Sequence, residues 1–275
     1  MKPTAQPVIA WHVTSELWFK RVIARGANDR LRILRTALFA LRHAPPISLA
    51  IVDTHMHFLI PADRVAAARA VRALEAATTV AHGLEDGFAR AHFQPVRTQV
   101  HLRHAFWYVA RQSLHHGSVG DPFLEGNLLL DLLGLRLVMP QAIVRLRETL
   151  PRVQRRELLG VVSEHLDLVR PSPRPALDAL HEAGAAALGR ATVPVRGPHC
   201  AEVRAAMLRL GDDLGLKRVD VAARLGIASS TVADLRRRPV SPTTMLAVTG
   251  QLLLRQGRRD DLQALLLPPA GGAER

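Results

Sequence analysis

The chain has 275 residues, and its 37 Lys plus Arg outnumber 24 Asp plus Glu, a formal net charge of +13. Hydrophobic residues make up 48% of it, which excludes a mainly disordered chain, and 18 Gly with one Cys exclude collagenous and disulfide-stapled folds. A basic excess of this size points to a polyanionic partner, nucleic acid or an acidic membrane surface. No apolar run reaches the ~18 residues of a membrane span. The opening stretch MKPTAQPVIAWHVTSELW lacks the charged-then-apolar pattern of a signal peptide, and Cys200 has no intrachain partner, which fits a reducing compartment. The expectation is a cytoplasmic protein without a membrane partner.

In chain order, residues 7–15 (PVIAWHVTS) are β-branched and roughly alternating, and predict a first strand. Residues 29–43 carry Leu31, Leu34, Leu38 and Leu41 at helical spacing, with Pro45-Pro46 as the stop. Residues 47–61 (ISLAIVDTHMHFLIP) read as one long strand. Val52, Met56, Phe58 and Ile60 line its apolar face, and Asp53, His55, His57 and Leu59 alternate with them. Pro61 and Asp63 open an Ala/Arg-rich helix to about Val80, with a turn over 82–87. Residues 92–97 predict a short edge strand, because Pro95 cannot donate to a ladder. Residues 99–116 predict an amphipathic helix ended by Gly117. Beyond it, 127–168 is Leu-rich and helical by pattern, with the apolar run Leu128–Leu137 as core. RPSPRP (170–175) is the best linker candidate, VPVRGPH (193–199) is a weaker break, and short helices fill 199 to about 266.

Two features carry chemistry. On a strand, residues i and i+2 point to one side, so His55 and His57 could reach one metal ion. Such pairs are common by chance in a chain with 13 histidines, so the pair alone favours a plain surface or core role. The helix 99–116 holds the single tyrosine, Tyr108, with Gln112 four residues on and therefore on the same helical face. A cation held by two imidazoles and an amide oxygen keeps positions open for phosphate oxygens, and a phenol beside it could attack phosphorus. A free phenol titrates near pH 10, so a nearby cation would have to help. Packing of Tyr108 with Phe106 and Trp107 in the core is the plain alternative. Asp53 could support the histidines or simply be solvated, and His115-His116 suit the negative end of a helix dipole.

AWHVTS (10–15), VDTHMHFLIP (52–61) and HFQPVRTQVHLRHAFWYVARQSLHHGSVGDP (92–122) fall in an order that resembles the single-strand DNA transposases with a His-hydrophobic-His motif and one tyrosine. The resemblance is especially to the REP-associated tyrosine transposases. The opening motif departs from the family at Glu16, where an arginine is usual. The resemblance covers the first 137 or so residues. It implies a ferredoxin-like antiparallel sheet with packed helices, Tyr108 as nucleophile, and His55, His57 and Gln112 as ligands of Mg²⁺ or Mn²⁺. It implies cleavage and rejoining of single-stranded or hairpin DNA through a 5′-phosphotyrosine. Arg97, Arg103 and Arg111 are expected to hold the DNA backbone.

In LKRVDVAARLGIASSTVADLRRRP (216–239), Ala222, Gly226 and Val232 have helix-turn-helix spacing: a small residue for close crossing, a turn glycine and a β-branched residue beneath the second helix. Ser229 is the expected N-cap. Ser229, Ser230, Thr231, Arg236, Arg237 and Arg238 are the expected duplex-DNA contacts. An ordinary helical hairpin is the alternative. The segment resembles helix-turn-helix extensions of some transposases and replication initiators. The expected division is therefore a catalytic domain over 1–137, a helical extension and linker over 138–198, and a helix-turn-helix domain over 199–268. The expected class is α+β followed by an all-α region, and a homodimer is left open. The rival functions are a domesticated, non-catalytic DNA-binding regulator that keeps the transposase fold, and a metal-dependent nuclease in which water attacks.

Overall fold

The structure, a computed structural model, describes residues 6–116, 121–170 and 174–267. It has two compact units, one of residues up to 129 with 141–153, the other of 130–140 with the chain from 154 onward. No helix among the described residues is long and apolar enough to cross a membrane.

The first unit is a four-stranded antiparallel sheet with helices. Its strands are β1 (Ala10–Glu16), β2 (Ser48–Ile51), β3 (His55–Ile60) and β4 (His92–Val96), in the order β2-β3-β1-β4. Helix α1 (Ala27–Ala40) joins β1 to β2, and α2 (Arg64–His82) joins β3 to β4. This is the βαββαβ path and strand order of the ferredoxin-like fold, and the α+β class is as expected. Asp63 caps α2 by accepting from Val65 and Ala66 N–H at 2.8 Å, and Gly83 closes it in the left-handed region.

The stretch expected as one strand over 47–61 is a hairpin. Ile51 faces Met56, and Val52 N–H donates to the His55 carbonyl at 3.0 Å, so Asp53 and Thr54 form the turn. Asp at such a position is turn chemistry, which the run of apolar residues on either side masked. Asp53 pairs with the buried Arg30 and its carbonyl accepts from Ile23 and Ala24, so it anchors this turn and does not support the histidines.

Ser15 on β1 donates to Glu75 on α2 at 2.6 Å, which places α2 on the face of Val13, Ser15, Met56 and Phe58. The opposite face belongs to α3 (Gln99–Ala110), capped by Thr98, whose hydroxyl accepts from His101 N–H at 3.1 Å. Leu102, Ala105, Phe106 and Val109 form its buried stripe. The helix expected to run to 116 breaks at Arg111 and resumes as the single turn α4 (Gln112–His115); its expected stop, Gly117, lies outside the described residues. Beyond it, residues 126–128 run beside β2. Ile51 N–H donates to the Gly126 carbonyl and Leu128 N–H to the Leu49 carbonyl, while Asn127 Nδ2 donates to the Ala110 carbonyl at 2.9 Å. This segment covers the β2 edge and holds the end of α3 against the sheet. After the short α5 (Leu129–Leu132), α6 (Ala142–Thr149) completes the unit.

The second unit is helical: α7 (Arg155–Val169), α8 (Ala176–Ala187), α9 (Cys200–Asp213), α10 (Arg218–Arg224), α11 (Ser229–Arg237), α12 (Pro242–Arg255) and α13 (Arg259–Leu266). Leu137, Leu180, Ala183, Met207, Val221, Leu235, Val248 and Leu252 share one core. The expected boundaries at 137 and 198 are therefore not boundaries of packing. Leu137 N–H bonds the Ala187 carbonyl at 2.8 Å, and α8 packs closely on α9 and α12 through its small residues. Pro-rich RPSPRP lies between two helices of this same unit, and its residues 171–173 are outside the described ones. The helices on either side of it, α7 and α8, belong to the same unit, so it does not mark a boundary between the two units.

A Cβ added at Gly126 would meet the Ile51 carbonyl oxygen at 2.7 Å, backbone that cannot move aside, whereas one at Gly160 within α7 meets nothing within 4 Å. Gly126→Ala is expected to destabilise by about 1–3 kcal/mol, and Gly160→Ala to stabilise by about 0.5–1 kcal/mol. Thermal melts of the two variants check both signs.

Candidate functional site

The site follows from strand register. Thr14 faces His57 across the β1–β3 ladder, Glu16 faces His55, and His12 faces Leu59. Residues directly opposite in an antiparallel pair share a face. Alternation therefore puts His12, Thr14, Glu16, His55 and His57 together on the α3 side of the sheet. From β4, His92 and Gln94 join this face opposite Thr14 and His12.

The rings crowd. Centroids of His55 and His57 are 4.7 Å apart, those of His12 and His57 are stacked at 5.4 Å, and His116 stands 5.2 Å from His55. Helix α3 sets Tyr108 over this cluster, 5.5 Å from His12, 5.7 Å from His57 and 6.0 Å from His115. Tyr108 is 47% exposed, so the core alternative for it does not hold; Phe106 takes the buried position and packs against Trp107. His57, at 4% exposure, has Nδ1 within 3.2 Å of His12 Nε2 and 3.3 Å of the Thr14 hydroxyl. His55 Nδ1 lies 3.0 Å from the Thr54 hydroxyl.

Burial favours the neutral form of His12, His55 and His57. Loss of hydration, and then the neighbouring His55, His12 and His116, push His57 down to about 3. His12 and His55 are lowered by burial first as well, with His116 adding to the effect on His55. Neutral imidazole is the form that binds a cation. With Nδ1 engaged by His12 and Thr14, His57 Nε2 is buried without a partner, and so is Gln112 Oε1 at a residue 1% exposed. Unpartnered acceptors at His57, under the phenol, and at Gln112, one turn along the chain from Tyr108, fit a divalent ion, with His57, His55 and Gln112 as the residues that would hold it. Among the described residues no three His, Cys, Asp or Glu side chains form a group able to hold an ion.

The structure brings His55, His57 and Tyr108 together. Gln112 sits one turn beyond Tyr108, past the helix break, and its Nε2 donates to the Tyr108 carbonyl at 3.4 Å. Of the expected backbone-holding arginines, Arg97 is exposed and donates to the Gln6 carbonyl at 2.5 Å. Arg103 and Arg111 lie on the Trp107 row of α3 by their four-residue spacing, and Arg111 lies over the Trp107 ring at 5.2 Å. In the second unit, α10 and α11 are joined by Leu225–Ala228 with Gly226 at φ +62°, the left-handed turn expected of that glycine. Ser229 is the first helical residue and makes no cap, which corrects the capping assignment: Ala228 holds that place. Ser229, Ser230, Thr231, Arg237 and Arg238 are exposed, while only Val232 and Leu235 turn inward. Arg236 is ion-paired with Asp212 at 3.2 Å.

Sequence reasoning missed His12 and assigned His115 and His116 to a helix dipole. The alternation of His12 with Thr14 on a strand was the available signal, but which strand lies alongside is not written in local spacing.

No family model matches the chain, and neither does any curated protein. Among solved structures, it is similar to one described as the structure of the REP-associated tyrosine transposase bound to a REP hairpin. That similarity has 20% identity and a TM-score of 0.32, over 42% of this chain and 75% of that one.

The folded His57 refuses a proton that the unfolded chain accepts between pH 6.5 and about 3. Stability from this group is therefore present above pH 6.5 and lost as pH falls toward 3, with a slope of up to about 1.4 kcal/mol per pH unit. Melting in EDTA at steps from pH 7.5 to 4 is expected to show a shallower fall for His57→Asn than for wild type.

Proposed function

We propose that the chain cleaves and rejoins single-stranded DNA, with Tyr108 as the nucleophile. The observation that carries this reading is a half-exposed phenol over a cluster of imidazoles, with His57 Nε2 in that cluster and Gln112 Oε1, one turn along from Tyr108, both buried and without partners. The motif resemblance supplies the reaction class, and the grouping of its residues supports it.

In this reading the Tyr108 oxygen bonds to phosphorus and the bond from phosphorus to the 3′ oxygen breaks, while the phenolic proton passes to water and the leaving 3′ oxygen takes one up from water. The products are a 5′-phosphotyrosine and a DNA 3′-hydroxyl, and attack by a 3′-hydroxyl reverses the step. A Mg²⁺ or Mn²⁺ ion held by His55, His57 and Gln112 would supply charge stabilisation at the scissile phosphate. His12 and Thr14 hold the His57 ring so that its Nε2 faces away from them, and burial favours the neutral rings, the form in which a ring nitrogen can bind a cation. Helix α11, polar and exposed at the positions expected to touch DNA, suits flanking duplex. The regulator alternative keeps that helix and forgoes the tyrosine chemistry.

Tyr108→Phe removes one hydroxyl from an exposed ring and is expected to leave stability within about 0.5 kcal/mol of wild type. A denaturing gel of wild type with end-labelled hairpin DNA and Mg²⁺ or Mn²⁺ is expected to show a covalent adduct that the variant lacks. An adduct in the variant, or none in wild type, overturns the reading. Cleavage by the variant without an adduct would favour water as the nucleophile.

For the second unit, Arg237→Ala with Arg238→Ala is expected to weaken duplex binding and to lower the salt slope by roughly 0.9 for each phosphate that is no longer neutralised. Titrations of duplex DNA at several salt concentrations measure it, and an unchanged slope removes this pair from the interface.

A further inference from the structure

Just past β1, five consecutive residues, Trp18 to Val22, are all exposed, and two are aromatic: Trp18 is 54% exposed and Phe19 82%. Hydrophobic burial should draw such rings inward, yet the loop is pinned so that it cannot. Leu17 before it and Ile23 and Ala24 after it are buried. Trp18 N–H donates to the Gly87 carbonyl at 3.3 Å, and Ile23 N–H to the Asp53 carbonyl at 2.6 Å. Between these anchors Phe19 and Lys20 both stand in the left-handed region, at φ 59° and 52°. Non-glycine residues avoid that region, and strain of this kind collects where a surface is used.

The charge around the rings specifies a partner. Lys20, Arg21 and Arg25 flank them, and behind the loop a cleft of about 730 Å³ is lined by these three with Arg32, against Asp29, Glu85 and Asp86. Arg21 pairs with Asp86, whereas Lys20 and Arg25 have no ion pair among the described residues. Phe39 offers a contrast: it too is exposed, but the Arg42 guanidinium covers its ring at 4.4 Å. No aromatic or cationic group covers Trp18 or Phe19 among the described residues. The loop also borders the site. Leu17 follows Glu16, which faces His55 across the ladder, and Lys20 is close enough to His55 to act on it electrostatically.

We propose that Trp18 and Phe19 are a stacking platform for unpaired bases of a DNA single strand, and that Lys20 and Arg25 take its phosphates. Flat rings with interleaved cations are the chemistry of single-strand recognition, since every base offers a π-face. Duplex DNA offers no free base faces, and the backbone phosphates of a single strand match the cations beside the rings. The proposal rests on the reading that DNA reaches Tyr108, and it assigns the strand's path beside that site.

The test uses the full chain in EDTA, so that no covalent step contributes, with a fluorescent single-stranded oligonucleotide followed by anisotropy. Trp18→Ala with Phe19→Ala is expected to weaken binding by about 10-fold or more, with Trp18→Phe close to wild type. An oligonucleotide with abasic sites should bind wild type and the double variant alike. Phe19→Gly relieves the left-handed strain, so it is expected to melt no lower than wild type and still bind more weakly. Equal binding by wild type and the double variant, an equal loss on the abasic strand, or a changed oligomeric state with unchanged DNA affinity would overturn the proposal. So would absence of single-strand binding by wild type. If wild type binds through these rings but forms no adduct with metal present, the catalytic reading fails and the platform stands. If it forms the adduct and the rings do not matter, the reverse holds.

Discussion

Thr14 faces His57, and Glu16 faces His55, across one antiparallel ladder. The site depends on that register. A slip of one residue would send His12 and Thr14 to the face of α1 and α2, where Val13 and Ser15 now pack, and would leave β3's histidines without their neighbours. Several apolar contacts hold the register at once. Met56, Phe58 and Ile60 fill the core on the opposite face, and each is fully buried. The chemistry-bearing face is therefore fixed by the hydrophobic demands of the other.

Burial then determines the protonation of the site. Imidazoles this close cannot all be charged, and desolvation depresses His57 more than any neighbouring charge does. A surface His-x-His pair would be protonated part of the time near neutral pH. Here burial favours the neutral form of His12, His55 and His57. The same burial leaves His57 Nε2 and Gln112 Oε1 unpartnered, which costs stability unless a ligand satisfies them.

Tyr108 sits over the histidines because α3 is clamped at both ends. Thr98 caps its start, and Asn127 bonds the Ala110 carbonyl where the helix breaks. The break at Arg111 lets the chain turn inward, so that Gln112 is buried while Tyr108, one turn earlier, stays half exposed. An uninterrupted helix would present the two with similar exposure. In the second unit a corresponding economy of space comes from small residues: α8 places Ala179, Ala183 and Gly184 where α9 and α12 approach, and a larger side chain at Gly184 would collide with Met207.

Local spacing alone determined much of this protein. The alternation of residues 10–15, the His-x-His step on a strand, the capping of α2 by Asp63, the edge position of β4 marked by Pro95 and the turn at Gly226 are all interactions within a few residues. Period and propensity record them directly. What local spacing hid were the contacts between distant residues. His12 joined the site through a strand 45 positions away, and Asp53 left it for Arg30. RPSPRP marks no boundary between the units because the helices on either side of it, α7 and α8, belong to one of them. The break in α3 and the exposed, strained Phe19 likewise come from anchors elsewhere in the chain. Pairing register, packing partners and burial are properties of the assembled sheet and helices, and tertiary structure alone decides them.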